Sequence, residues 1–375
     1  MARSGIETVL ERIGSAPTPD RADLIRILRI ADPVEMASLT GFADAVRRRS
    51  VGDGVLLRGI IEFSNVCRNT CQYCGLNRRN TRLARYRLTR DQILEAVRNI
   101  CKAGIKTIVL QSGEEDNLDA VWLREVIAAI RSSLDAAITL CVGERSRQEY
   151  QMWKEAGADR YLLKIETSDP ALYGALHPGM SFENRIRCLE DLAALGYQVG
   201  SGNLVGLKGQ TVESLAGDLE FFKRGGFDMI SVSPFIPHSQ TPLAGEPAGD
   251  LETTVKVIAL TRILCPTAHI PASTAIGSLH GRDERPRALA AGANVIMPNF
   301  TPGDVRRLYD IYPGKAGCDL TPQRSVAAVE KMVTAMGRRV DYARGDALRL
   351  TGAAPGENSP WEASSDADLA KALYN

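Results

Sequence analysis

Between residues 57 and 299, short runs of apolar and β-branched residues alternate with longer amphipathic stretches. The short runs are LRGIIEFS (57–64), KTIVLQS (106–112), AITLCV (137–142), RYLLKIE (160–166), YQVGSGNLV (197–205), FDMISVSPF (227–235), IPASTA (270–275) and ANVIMPN (293–299). Their length and composition predict buried strands. The stretches between them, roughly 90–103, 118–133, 146–156, 181–195, 211–224, 251–264 and 282–291, carry helical spacing. Several end in Ala-Gly or Gly-Gly just before the next strand, and glycine there is a helix stop. Parallel neighbours need a crossover of a dozen or more residues, so eight strands with a helix in each gap predict an α/β fold with a parallel sheet. The number of units matches a closed (β/α)8 TIM-type barrel, with an open doubly wound sheet as the alternative.

The flanks read differently. Residues 1–50 predict an N-terminal helical extension, with Asp20 and Asp32 placed as N-caps. The barrel is expected over 51–320. Residues 321–375 read as a C-terminal helix and a loosely held tail, in one structural domain with the rest. Of 375 residues, 44% are hydrophobic and the net charge is +1. That leaves no case for nucleic acid or an acidic membrane surface. No apolar run approaches the ~20 residues that span a bilayer, and the start lacks a secretory h-region, so the cytoplasm is expected.

Eight cysteines are present. Cys101, Cys141, Cys188, Cys265 and Cys318 are scattered and read as small buried side chains. Cys67, Cys71 and Cys74 form a C-x3-C-x2-C cluster directly after the first strand, where a barrel of this kind carries its chemistry. In a reducing compartment such thiols are metal ligands or redox groups. Structural zinc normally takes four protein ligands, and no fourth is near. A three-ligand catalytic zinc stays open as a reading. So does a [4Fe–4S] cube with one iron left free for a substrate or cofactor.

The C-x3-C-x2-C spacing, with Tyr73 before the last cysteine, resembles the signature of the radical S-adenosylmethionine (SAM) superfamily. Beyond the motif, IIEFSNVCRNTCQYCGLNRRN, KTIVLQSGEE, SFENRIRCL, PFIPHSQTPLA, GANVIMPNFTP and LYDIYPGK are similar, in order, to the HydE-type [FeFe]-hydrogenase maturases. Methylornithine synthase and biotin synthase fit these stretches less well. The resemblance implies that Cys67, Cys71 and Cys74 each bind one iron of a [4Fe–4S] cluster. SAM would chelate the fourth iron and be cleaved to a 5′-deoxyadenosyl radical. It implies cofactor contacts from Tyr73, Gln111, Ser112, Gly113, Glu114, Glu166, Arg185 and Gly202. A substrate end would be formed by Arg160, Lys164, Ser273, Thr274, Tyr309 and Tyr312. His238 and Met297 match family segments without an independent argument for a role. The implied partners are an organometallic or small-molecule substrate, the maturases HydG and HydF, and an external electron donor such as ferredoxin or flavodoxin.

Parity adds an argument from the residues themselves. Arg160, Leu162, Lys164 and Glu166 share one strand face. Charges on an inward face make sense if that face lines a site, because such barrels are otherwise filled with branched apolar residues; the alternative has Tyr161, Leu163 and Ile165 pointing inward and the charges solvated. The G-x-G of GSGNLVG is a poor dinucleotide fingerprint, since its next glycine is misplaced. Two departures from the maturase pattern stand out. Only Cys318 is left where some members hold a second, three-cysteine cluster, so none is expected. The family's Arg-His-Glu-Thr is replaced by Lys164-Ile165-Glu166-Thr167, which bears on the substrate. An amino-acid mutase of the methylornithine synthase type, or a maturase paralogue with another substrate, is the alternative. A non-enzymatic iron–sulfur or zinc scaffold is the reading from another class.

Overall fold

The computed structural model describes residues 5–351. Three helices lead, Gly5–Ser15, Arg21–Leu28 and Pro33–Val51. Asp20 and Asp32 cap the second and third, accepting from the Ala22 and Val34 amides at 2.8 and 2.7 Å, so both expected caps are present. This layer packs on the helix Leu251–Leu264. There the Lys256 ammonium donates to the carbonyls of Leu28 and Ile30, acceptors left over at the end of the second helix.

The strands are β1 Gly54–Leu57, β2 Gly59–Ser64, β3 Thr107–Ser112, β4 Ala137–Cys141, β5 Arg160–Leu162, β6 Gln198–Val205, β7 Met229–Pro234, β8 Val295–Ile296 and β9 Arg339–Asp341. Strands β2 to β7 lie side by side in chain order, every pair parallel. Single parallel bridges, Met229 to His269 and Pro271 to Val295, carry the pairing on to β8. β8 pairs with β1, and Asn299 bridges Ile60 in β2. The sheet therefore closes on itself, which rules out the open alternative. All eight expected runs are staves of the barrel. The seventh is held by bridges alone because Pro271 has no N–H to donate. Helices fill the gaps as expected, with Gly104 (φ 80°) and Gly226 (φ 52°) turning two of them back toward the barrel.

Along each stave alternate residues face the helices. Ile61, Phe63, Ile108, Leu110, Ile138, Leu140, Ile230 and Val232 belong to that outer core. The residues between them face the lumen: Arg58, Ile60 and Glu62; Val109 and Gln111; Thr139 and Cys141; then Arg160 and Leu162 in register beside them. Such a lumen is polar where an ordinary barrel interior is filled with branched apolar side chains.

The lower end of the barrel holds a surprise. β9 pairs parallel with β1, and the residues after it fold under the staves. The Asp346 carboxylate sits 2.7 Å from the Arg160 guanidinium, and the Arg344 carbonyl accepts from the same side chain at 2.8 Å. The base is thus built by a segment that the sequence reading assigned to the tail. Three residues, with Val340 alone between the charged Arg339 and Asp341, are too short a run to give a strand signal, so β9 was invisible. The helix Pro322–Ala335 is present; the stretch 352–375, expected to be loosely held, lies outside the described residues.

Candidate functional site

The cysteines lie on an irregular loop between β2 and the helix Arg90–Lys102. Its backbone is tied to the strand ends and to the loops and helix around them. The Gly113 amide donates to Ser64 O at 3.0 Å, Arg68 N to Glu114 O at 2.7 Å, Gln72 N to Leu176 O at 2.9 Å and Gly75 N to Ile311 O at 3.0 Å. Arg85 acts as an internal strut, its guanidinium donating to the carbonyls of Asn65, Leu76 and Asn77 at 2.7–2.9 Å. Two approaches admit no side chain. A Cβ at Gly113 would lie 2.2 Å from Val66 O, and one at Gly75 would lie 2.1 Å from Asp310 O.

Cys67, Cys71 and Cys74 are half-buried and unpaired. Burial pushes all three thiols up, and Cys74 reaches about 12, with the neighbouring cysteines adding repulsion for Cys71 and Cys74. Such a loop holds thiolates only when a cation neutralises them. Among the described residues no three His, Cys, Asp or Glu side chains converge closely enough for a single metal ion. The donor set is three thiols from one loop, one fewer than the four protein ligands of a structural zinc. That set fits a polynuclear iron–sulfur cluster with one corner left to a non-protein ligand.

Facing the loop is Glu166, which follows β5. It is the one non-glycine residue with positive φ (65°) among those described. Its backbone is locked by Glu166 N to Gly202 O and Leu204 N to Glu166 O, both 3.0 Å. Its Oε2 lies 3.0 Å from Lys164 Nζ, yet no donor is aligned on that oxygen. Arg185 lies alongside, with its Nε 2.7 Å from Glu144 and an Nη1 hydrogen bond of 2.5 Å to the Lys164 carbonyl. Gly202 is required by its neighbour, because a Cβ there would stand 2.1 Å from Ser231 O. Glu114 is buried between Arg68 and the Glu144 amide (2.9 Å). Ser112 Oγ donates to Gly113 O at 2.7 Å.

A second loop, around residues 309–316, covers the other side of the mouth. Gln111 Nε2 donates to Tyr309 Oη at 3.0 Å. Lys315 is buried against Glu62 at 2.6 and 2.8 Å and lies over the Tyr309 ring. Asn299 Nδ2 also donates to Glu62. Ser278 ties this loop to the seventh stave, accepting from Ala316 N and donating to Thr274 O. Tyr312 reaches the same Ser278. Ser273 Oγ and Thr139 Oγ1 are buried without a partner. Such orphans have a reason where a polar ligand is accommodated.

The structure thus gathers Lys164, Ser273, Thr274, Tyr309 and Tyr312 at the mouth and leaves Arg160 out. Arg160 begins β5 at the opposite end, fully buried against Gln198, Thr107 and Asp346. Six residues at ~3.3 Å each separate it from Glu166, so the shared face was right and its depth was not. Tyr73 turns aside as well. Its hydroxyl meets His177 Nε2 at 2.8 Å, and its ring packs with the small apolar cluster of Leu176, Leu207, Phe235 and Leu243. Burial lowers His177 to about 4, so it is neutral near pH 7. His238 pairs with Asp310 at 3.0 Å behind Gly75, and Met297 is half-buried. Sequence reasoning missed Glu62, Cys141 and Lys315. Parity within 57–64 could have found Glu62 as a lumen charge, and nothing local marks Lys315.

The pattern of the Radical SAM superfamily matches residues 61–222, and that of the Biotin and Thiamin Synthesis associated domain matches residues 231–339. The chain belongs to the radical SAM superfamily and is a radical SAM enzyme. Membership implies a [4Fe–4S] cluster and SAM as its cofactors. The [FeFe] hydrogenase maturase subunit HydE of Thermotoga maritima is 48% identical over 321 residues, 85% of this chain and 91% of that protein. The 3-methylornithine synthase of Methanosarcina acetivorans is 31% identical over 284 residues, 75% of this chain and 79% of that one. The solved structure of methylornithine synthase (PylB) superposes with a TM-score of 0.80 at 27% identity, covering 91% of this chain and 99% of its own. HydG, at 17% identity and a TM-score of 0.74 over 98% of this chain and 79% of its own, shares the fold.

Proposed function

We propose that the chain is a HydE-type maturase that uses radical SAM chemistry in assembling the [FeFe]-hydrogenase diiron cofactor. The observation that carries this reading is the 48% identity across 91% of a HydE. Cys67, Cys71 and Cys74 would hold one [4Fe–4S] cluster. When bound, cluster and SAM supply an electron and a 5′-deoxyadenosyl radical. Cys318 has no cysteine after it in the sequence, and we infer no second cluster.

The residues of the chain have distinct tasks. Glu166 offers an unsatisfied carboxylate oxygen to the amino or ribose groups of SAM, while Arg185, whose Nε and Nη1 are held by Glu144 and the Lys164 carbonyl, offers its charge and its Nη2 to the carboxylate. Gln111, Ser112, Gly113 and Glu114 hold the cysteine loop and the amino-acid end of SAM at fixed distance, and the backbone at Gly202 lines the adenine. Tyr309, pinned by Gln111 and Lys315, keeps water from the lumen, which protects a reactive intermediate. Lys164, Ser273, Thr274 and Tyr312 line the space for an organometallic or small-molecule substrate; Arg160 does not share it. HydG and HydF would be the functional partners, with an external low-potential electron donor such as ferredoxin or flavodoxin. No described helix is long and apolar enough to cross a membrane, and the reading places the enzyme in the cytoplasm.

The test is anaerobic reconstitution with iron and sulfide, reduction, addition of SAM and assay of 5′-deoxyadenosine, with Cys71→Ala in parallel. The wild type should load about four irons and cleave SAM, and the variant should do neither. Complementation of a HydE-deficient hydrogenase strain then separates the maturase from its alternative. A radical mutase of an amino acid, favoured by the PylB superposition and by Lys164-Ile165, would cleave SAM yet fail to restore hydrogenase.

A further inference from the structure

The segment after the last cluster cysteine is strongly basic. Residues 78–90 hold six arginines, Arg78, Arg79, Arg82, Arg85, Arg87 and Arg90, and no acidic residue, in a chain whose net charge is only +1. Arg85 is spent inside the loop and Arg87 is paired with Glu115. Arg78, Arg79 and Arg82 are exposed, and among the described residues no ion pair engages them. Asp116 is paired with Arg68 at 2.9 Å, and Asp310 with His238 at 3.0 Å.

These arginines are exposed, but their backbone is built into the cysteine loop. Arg78 N donates to Asn69 O at 2.9 Å, within the Cys67–Cys71 span. The Asn77 side chain donates to Cys74 O at 2.8 Å and accepts from Arg79 N at 3.0 Å. Asn80 repeats the device, donating to Gly75 O at 2.8 Å and accepting from Arg82 N at 3.2 Å. One asparagine therefore links each arginine to the segment that holds the cluster. The bracing holds the backbone that carries these arginines beside the cysteine loop, and charges presented from a fixed place on the surface steer an approaching partner and favour one orientation.

We infer that Arg78, Arg79 and Arg82 form the docking surface for a small acidic one-electron donor protein that reduces the cluster. The inference rests on the radical SAM reading and deepens it. In the step, one electron leaves the donor, taking a flavodoxin hydroquinone to its semiquinone, and enters the cluster, taking [4Fe–4S]2+ to [4Fe–4S]+. No bond is made or broken. The charge of the loop speeds encounter and places the donor against the face of the protein nearest the cysteines.

The experiment uses reconstituted full-length protein, a recombinant acidic flavodoxin in its hydroquinone form, and photoreduced 5-deazariboflavin as a small uncharged reductant. Cluster reduction is followed by stopped-flow absorbance, and flavodoxin binding by biolayer interferometry. The R78E/R79E/R82E variant should lose at least about tenfold in reduction rate and in affinity with flavodoxin at low salt. It should match the wild type with deazariboflavin. The wild-type flavodoxin rate should fall steeply with added KCl, and the rate of the variant should not. The R78Q/R79Q/R82Q variant should fall between the two and serves if charge reversal prevents folding. Equal flavodoxin rates in all three proteins would overturn the proposal. So would an equal loss with both reductants, which marks a structural role, or wild-type binding to a labelled single-stranded RNA that outcompetes flavodoxin. If deazariboflavin-reduced wild type yields no 5′-deoxyadenosine from SAM, the radical SAM reading fails instead, while the rate comparison still judges the docking surface.

Discussion

Glu166 holds a conformation that a β-carbon resists, φ 65°, at a cost of order 1–3 kcal/mol. Two backbone hydrogen bonds to β6 impose it. Substitution can separate that cost from the use made of it. Glu166→Gly should leave the urea midpoint unchanged or raise stability by about 1 kcal/mol, since glycine accepts positive φ without strain. The same variant should bind SAM at least about tenfold more weakly in calorimetry on reconstituted protein, having lost a charged hydrogen-bond acceptor. Glu166→Gln keeps the strain and should lose affinity alone. Undiminished SAM affinity in the glycine variant would remove Glu166 from the site. This residue was legible as a site candidate through strand parity and family resemblance, but its strain was not, because no local pattern sets φ for a glutamate.

Elements dock through single buried polar groups as well as apolar faces. The helix Val212–Gly225 reaches the barrel through Asp218, fully buried, which accepts from Ser168 N at 2.6 Å and Oγ at 2.8 Å and from Asn203 Nδ2 at 2.9 Å. Burial outweighs these hydrogen bonds and raises the carboxyl from 3.8 to about 6. The folded state therefore holds a proton that the unfolded chain has released between those two values. Stability falls as pH rises through that window and is flat above it, a loss of about 3 kcal/mol at 1.36 kcal/mol per unit. Urea denaturation at pH 4.5 and pH 7 should show this slope in the wild type relative to Asp218→Asn, which has no proton to lose. An identical pH dependence in both proteins would refute the assignment. Most helices and staves were legible from hydrophobic period and from caps such as Asp20 and Asp32. Asp218 was not, since a lone aspartate within a helix is usually a solvated one.

At the scale of the whole molecule, the barrel has a chemical end and a structural end. The mouth carries the cysteines, Glu166 and the Tyr309 loop; the base carries Arg160, Gln198 and Asp346. Arg160 is fully buried and depends on a carboxylate that is itself partly exposed. Asp346→Ala should destabilise the fold by about 3 kcal/mol, because it leaves a buried cation without its partner. SAM affinity measured on the folded protein should stay the same. A drop in affinity without a drop in stability would mean that the base communicates with the mouth, and would return Arg160 to the site.

Local order along the chain was enough for the eight staves, their parallel sense, the N-terminal helices and the cysteine loop. Each of these follows from periodicity or from spacing within a few residues. Closure of the sheet, the base formed by β9 and Asp346, and the Glu62–Lys315 pair join residues 186–285 positions apart or lie between elements with no shared pattern. Only tertiary packing decided them. A polar side chain reads the same in sequence whether it meets water or another buried charge. What distinguishes the two is the desolvation imposed by segments that arrive from elsewhere in the chain.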